Sequence, residues 1–368
     1  MMIDRRVFTH FDWTLVGIVL IIAAVGILNL YSTTCNGNGE GAATPLYMKQ
    51  FFWLLMGLVV MLVIAFVEYR FYSDVAYVAY VIALFSLLSV LVYGMITSGA
   101  QRWVRVGSIS FQPSEFAKIS LILVLAKFFH RAPSREGYTL KDLLVPFLLL
   151  LLPMVLILKQ PDLGTAIILL LIFASVLLFV KVRWSSLLIL VLSGMAVLPV
   201  FWHFLKDYQK QRIFTFFNPD MDPLGAGYHI IQSKIAVGSG GIFGKGFMNG
   251  TQCKLGFLPE QQIDFIFSAL AEEWGLMGSL FVVGLYFVLV LWGLRIAVHS
   301  KDRFGAILAF GVVAMIFWHV FINVGMVLGI MPVVGIPLPL LSYGGSFLVS
   351  TLLGIGLLLN VSMRRFLF

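Results

Sequence analysis

The chain has 368 residues, 60% hydrophobic and only 11% charged, with a mean hydropathy of +1.00. A soluble domain needs a polar shell and carries about 25% charged residues, so this composition excludes a water-soluble fold. The net charge of +8 comes from basic residues set in twos and threes between apolar runs. That pattern excludes a continuous nucleic-acid-binding face and marks the flanks of membrane spans.

A crossing needs about 20 mostly apolar residues. In chain order such runs lie near 13–32, 47–67, 75–95, 114–129, 143–158, 163–180, 185–204, 267–294, 305–330 and 343–362. The runs are continuous, as from Leu148 to Leu152, which excludes the alternation of a membrane barrel. The expectation is an all-α polytopic membrane protein of ten transmembrane helices. No internal repeat is evident, so residues 1–368 read as a single transmembrane domain. The first run follows Arg5 and Arg6 without a small-residue cleavage site and is kept as a span.

Orientation follows from the short loops. With the N-terminus inside, the inner segments carry Arg5, Arg6, Arg70, Lys127, Arg131, Arg135, Lys141, Lys181, Arg183, Arg295, Lys301, Arg303, Arg364 and Arg365. The short outer loops and their flanks carry only Lys49, Arg102, Arg105, Lys118 and Lys159. By the positive-inside rule both termini are cytoplasmic, and the long loop 205–264 between the seventh and eighth helices lies outside. Within it Tyr228 to Val237 reads as a short interfacial amphipathic helix, followed by a glycine-rich stretch from Gly238 to Gly256.

Charges at membrane depth are costly and default to functional candidates. Asp264 lies in the run Leu258-Pro259-Glu260-Gln261-Gln262-Ile263-Asp264, which leads on to Glu272-Glu273-Trp274-Gly275. Pro259 suits a first helical turn, which would put Asp264 on the helix at the outer surface. Ser268, Ala271, Gly275 and Gly278 follow it along one face as a small-residue stripe. A functional carboxylate and a helix N-terminal carboxylate favoured by the macrodipole both remain open.

A second cluster runs from Gly99 to Arg105 and from Gln112 to Lys118. Ser114 can cap the helix that Glu115 opens. Glu115 and Lys118 stand three apart, the spacing of a structural ion pair on one face. Trp103 is either an interface anchor or a substrate contact, and Asp162, in Pro161-Asp162-Leu163-Gly164-Thr165, can be a helix N-cap. His203, His229 and His319 show no metal-ligand spacing, and neither a Walker loop nor a dinucleotide fingerprint occurs. An outward carboxylate with several cations suits an anionic, lipid-linked substrate.

Several multi-residue motifs occur together in order. They are Gly99–Lys118, Pro161–Thr165, Asp222–Tyr228, Gln232-Ser233-Lys234, Gly238–Gly246, Phe257–Gly275 and Pro337–Gly345. With them the chain resembles, over nearly its whole length, the SEDS family of shape, elongation, division and sporulation proteins. Gly250-Thr251-Gln252 and Phe257 to Gln261 are more similar to the RodA branch than to FtsW. Ile263, where many relatives have threonine, and Trp274 depart from the commonest pattern without removing a titrating group.

The resemblance implies a peptidoglycan glycosyltransferase of the bacterial cytoplasmic membrane that polymerises lipid II on the outer face during rod-shaped elongation. The implied partners are lipid II, a class B penicillin-binding protein and the elongation machinery. Asp264 matches the family's essential aspartate and would be the general base for the incoming 4-hydroxyl. Arg102, Arg105, Lys118, Arg212, Lys234 and Lys245 are the cations available to the pyrophosphate, with Trp103 as a further contact. Glu115, Asp162, Glu272 and Glu273 would support the site. No cofactor is expected beyond a divalent cation for which the sequence gives no dedicated cage. A lipid II flippase and a non-catalytic scaffold for the penicillin-binding protein are the competing readings. Cys35 and Cys253, both on the outer side, are a candidate disulfide.

Overall fold

The computed structural model describes residues 11–36, 45–97, 100–106, 109–132, 134, 136–204, 207–218, 225–258 and 260–365. Its helices in chain order are α1 (Trp13–Asn36), α2 (Leu46–Phe66), α3 (Tyr69–Tyr93), α4 (Pro113–Arg131), α5 (Leu144–Lys159), α6 (Leu163–Phe179) and α7 (Trp184–Phe204). They continue with α8 (Asp207–Phe217), α9 (Ala226–Ser239), α10 (Thr251–Lys254), α11 (Ile266–Val298), α12 (Arg303–Val327) and α13 (Gly345–Arg364). A helix occupies each of the ten segments expected to span. Six of these, α1, α2, α3, α11, α12 and α13, are long and apolar enough to cross a membrane. Helices α5 and α6 and the first part of α7 are apolar but shorter, and α4 is largely buried, with Glu115, Lys118 and Lys127 among its buried residues.

The all-α expectation needs one correction. Strands β1 (Met95–Thr97), β2 (Ala100–Val106) and β3 (Ile109–Phe111) form an antiparallel ribbon in the order β1-β2-β3. Met95 faces Trp103, and Arg105 faces Ser110. Pairing satisfies backbone groups that a loop would leave to water, although Arg102-Trp103-Val104-Arg105-Val106 does not alternate polar with apolar residues.

The bundle centres on α4, α12 and α13. Helix α13 lies along α2. A side chain on Gly356 would come within 2.7 Å of the Met61 carbonyl oxygen, so glycine is what lets the two backbones touch. The outward faces of α2, α3, α5 and α7 expose large apolar side chains such as Phe52, Phe85, Leu144 and Leu188, surface that only a lipid environment tolerates at this extent.

Helix α11 is not continuous. Gly275 has φ +67° and ψ −162°, which interrupts the helix after its first two turns. The glycine-rich stretch is spliced into the gap. Lys245 and Gly246 donate their N–H groups to the Glu272 and Glu273 carbonyls, each at 3.0 Å, and Leu276 and Met277 donate to the carbonyls of Gly241 and Ile242. Four of the backbone groups freed around the break are thus paired by the loop. The long outer segment holds α8, α9 and α10. Helix α9, expected as a surface helix, packs on α11 through Ser233, which is buried and 2.9 Å from Ser268. The small-residue stripe on α11 therefore receives its neighbour as expected, with Gly240 against Ala271.

Candidate active site

Asp264 does not lie on a helix. Glu260, at φ +49°, turns the chain so that its carbonyl accepts from the N–H groups of Ile263 at 3.0 Å, Asp264 at 3.1 Å and Phe265 at 3.4 Å, and α11 starts only at Ile266. Pro259 lies outside the described residues. The turn is fixed from outside: three consecutive carbonyls each accept a bond from a different partner. Gln262 accepts from the Tyr343 N–H at 2.9 Å, Ile263 from Ser342 Oγ at 2.5 Å, and Asp264 from Asn323 Nδ2 at 2.9 Å. Ser342 also accepts from the Leu338 N–H, and its carbonyl accepts from the buried Gln50 of α2 at 3.0 Å.

The Asp264 carboxylate is partly buried. A Cβ on Gly335 would lie 3.3 Å from its Oδ2, so glycine keeps this side open. Burial, and next the negative charge of Glu260, push the carboxyl up to about 6 against the opposing pull of Arg212 and Arg102. Asp162 adds a further upward push. Asp162 caps α6 as the spacing predicts, accepting from the Thr165 N–H at 3.2 Å and from Thr165 Oγ1 at 2.9 Å. It also stands 3.9 Å from Arg102, which donates to the Pro161 carbonyl as well. Residues 102, 162, 212 and 264 thus form one charged cluster.

The other expected residues are placed differently. Lys118 is buried away from solvent, 3.0 Å from Glu115 and 3.0 Å from His319 Nε2, and Glu115 accepts from Ser350 at 3.0 Å. His319 Nδ1 faces the Met315 carbonyl, so Nδ1 carries the proton and the imidazole is neutral, with Nε2 accepting from Lys118. Lys245 pairs at 2.7 Å with the fully buried Glu272, which also accepts from the Thr251 and Gln252 N–H groups that open α10. Glu273 accepts from Ser32 of α1. Arg105 and Lys234 are exposed, the latter against Gly329, and Trp103 is half-buried. Ser114 does not cap α4. Gln112 holds that position with Pro113 in the first turn, because proline needs no N–H partner there. The side chains of Cys35 and Cys253 lie outside the described residues, although α1 and α10, which carry them, pack together.

Sequence reasoning missed Asn323, Ser342, Gln50 and Glu260. The available signal was a lone asparagine in the apolar run of α12 and a lone glutamine in that of α2. Among the described residues no three His, Cys, Asp or Glu side chains converge as metal ligands, so the groups present do not form a cage for a divalent cation.

A bundle of apolar helices, several long enough to cross a membrane, thus carries a partly buried carboxylate with Glu260, Asp162, Arg102 and Arg212 around it. The FtsW/RodA/SpoVE family of cell cycle proteins matches residues 10–366, and the chain belongs to that family. It is 42% identical over 357 residues to the peptidoglycan glycosyltransferase MrdB of Escherichia coli (strain K12), covering 97% of this chain and 94% of that protein. It is 36% identical over 432 residues to the peptidoglycan glycosyltransferase RodA of Treponema pallidum (strain Nichols), covering 98% and 99%. Among solved structures, a chain of a peptidoglycan synthase complex that coordinates polymerization and crosslinking superposes with a TM-score of 0.82 at 35% identity, covering 97% of this chain and 98% of that one. The crystal structure of the Thermus thermophilus rod shape determining protein RodA gives 0.72 at 32% identity, with the same coverage.

Proposed function

We propose that this multi-pass membrane protein is a peptidoglycan glycosyltransferase, polymerising lipid II for cell elongation and rod shape. The observation that carries the reading is the Asp264 carboxylate, held beside Arg102 and Arg212 in a chain whose relatives bear that activity. The ten helices would place both termini in the cytoplasm and the site at the outer face of the cytoplasmic membrane, within reach of a class B penicillin-binding protein and the elongation machinery.

In the reaction the 4-hydroxyl oxygen of an incoming lipid II attacks the anomeric carbon of the growing strand. The bond from that carbon to undecaprenyl pyrophosphate breaks, with inversion from α to β. Asp264 takes the hydroxyl proton, a role worth about 10²–10⁴-fold. The leaving pyrophosphate needs no protonation, so one carboxylate suffices where a glycosidase uses two. Arg102 and Arg212 would hold the charge that develops on it, with Arg105, Trp103 and Lys234 at the rim. Lys118 and Lys245, each committed to a buried glutamate, would support the frame.

The test is reconstitution of the purified chain with lipid II, with and without a class B penicillin-binding protein. Glycan strands from the wild-type protein and none from Asp264→Asn are expected. Strands formed equally by both would remove Asp264 from the chemistry, and none from the wild-type complex would overturn the enzymatic reading.

A further inference from the structure

At the opposite end of the bundle from Asp264, a cavity of about 610 Å³ opens between the end of α6, the start of α7 and the segment before α5. Its lining includes the exposed charged side chains of Glu136, Lys181 and Arg183 and the apolar Leu178, Trp184 and Leu187. The backbone that carries these residues is held in place. Tyr138 pairs with the α6–α7 turn as a strand would, donating to the Lys181 carbonyl at 3.3 Å and accepting from the Arg183 N–H at 3.1 Å. Gly137 permits this approach, since a Cβ there would lie 3.0 Å from the Lys181 carbonyl oxygen. Lys181 itself is held at φ +64°, a conformation that costs a non-glycine residue about 1 kcal/mol or more.

The surroundings say what fits. Leu178 is 64% exposed and Trp184 84% exposed, which suits acyl chains and the headgroup boundary where indoles collect. The sequence places Lys181 and Arg183 on the cytoplasmic side, where anionic lipids give the leaflet its negative potential. Arg183 is paired at 2.7 Å with Glu136, which uses part of its five-donor fork. The three charges sum to +1, the complement of one phosphodiester.

We propose that this cavity binds the headgroup of a monoanionic phospholipid, with the glycerol phosphate on Lys181 and Arg183 and the acyl chains along Leu178 and Leu187. The site rests on the membrane sidedness given above and is independent of glycosyl transfer. It gives the α6–α7 corner a resident lipid where α7 itself makes few protein contacts, its Leu188 and Leu192 being exposed.

The experiment is native mass spectrometry of the full chain released from micelles containing equal amounts of phosphatidylglycerol and phosphatidylcholine. The wild-type protein should retain phosphatidylglycerol preferentially. Lys181→Gln with Arg183→Gln should lower that preference about thirty-fold, two basic contacts' worth. Arg131→Gln with Arg295→Gln, the same charge loss elsewhere on that side, should keep it. Lys181→Gly removes the charge while relieving the positive φ, so it should lose preference with unfolding temperature unchanged or raised. Equal preference in the wild type and the cavity variants overturns the proposal, as does equal loss in the control pair. Displacement of the lipid by excess inorganic phosphate would also overturn it, by assigning the cavity to a free anion. A micelle measurement reads neither leaflet nor catalysis, so its failure leaves the enzymatic reading standing.

Discussion

Asn323 of α12 donates its side-chain amide to the backbone carbonyl of Asp264 at 2.9 Å and to that of Ile336 at 2.7 Å. A single fully buried residue thereby fixes the turn bearing the carboxylate against the segment that faces it. The residue is thus positioned through its main chain rather than through its carboxylate.

Asn323→Ala should cost about 1–3 kcal/mol of stability, because two carbonyls lose their donor. Its more specific effect is on turnover: a misplaced Asp264 should lower kcat by about 10-fold to 100-fold. The acid limb of the rate profile should also shift towards the usual carboxylate range. A merely unfolded fraction would lower the rate and leave that limb in place.

Asp264 should set the acid limb at about 6, with activity present above that pH and lost below it. The same shift has a stability consequence. Because the folded pKa lies above the unfolded one, the ionised group destabilises the fold above pH 6, and the penalty disappears as pH falls towards 4. Asp264→Asn should therefore be more stable than the wild type at pH 7 by about 1–2 kcal/mol, discounted for partial exposure. Thermal unfolding of both proteins at pH 7 and pH 4 checks it: the gap should close at the lower pH.

Glu115 and Lys118 form a buried pair at 3.0 Å. Removing either partner leaves a charge uncompensated inside the bundle and should destabilise by about 3–5 kcal/mol. The swap Glu115→Lys with Lys118→Glu should recover part of the loss in thermal unfolding. Single variants that stay stable but lose activity would assign the pair to the substrate site instead.

The break in α11 predicts an ordering of glycine substitutions. Gly275→Ala is strained twice, by φ +67° and by a Cβ 2.6 Å from the Ile242 carbonyl oxygen, and should prevent recovery of folded protein. Gly238→Ala, in α9 with nothing within 4 Å of the new Cβ, should be neutral or stabilise by up to about 1 kcal/mol. Unfolding temperatures in detergent separate the two.

A Cys35–Cys253 bond would tie α1 to α10 and the stretch preceding Asp264. Mass spectrometry without reduction decides between that bond and two unpaired cysteines: linked peptides would establish it, and two alkylatable thiols would end the idea.

Much of this was open to a reader of the residues. The Asp162 cap needed only the Pro-Asp-Leu-Gly-Thr spacing, and the Glu115–Lys118 pair only a helical period, since both interactions are local. The ribbon at 100–111 was missed because Arg102-Trp103-Val104-Arg105-Val106 lacks the polar-apolar alternation that marks a half-buried strand. The helical placement of Asp264 failed because helix onset there depends on the left-handed turn at Glu260, which no neighbouring residue type dictates.

The sequence by itself determined that the chain lives in a membrane, where its long helices run, which side its basic residues favour, and that Asp264 is the carboxylate to watch. These follow from hydropathy and from motifs contained in short stretches of chain. Only the tertiary structure decided which charges act on that carboxylate, that Asn323 holds its backbone, and that the glycine-rich stretch completes a broken helix. Residues 102, 162, 212, 264 and 323 are distant along the chain. Desolvation, Coulomb attraction and hydrogen bonding act over a few ångströms of space, a distance that only the packed bundle sets.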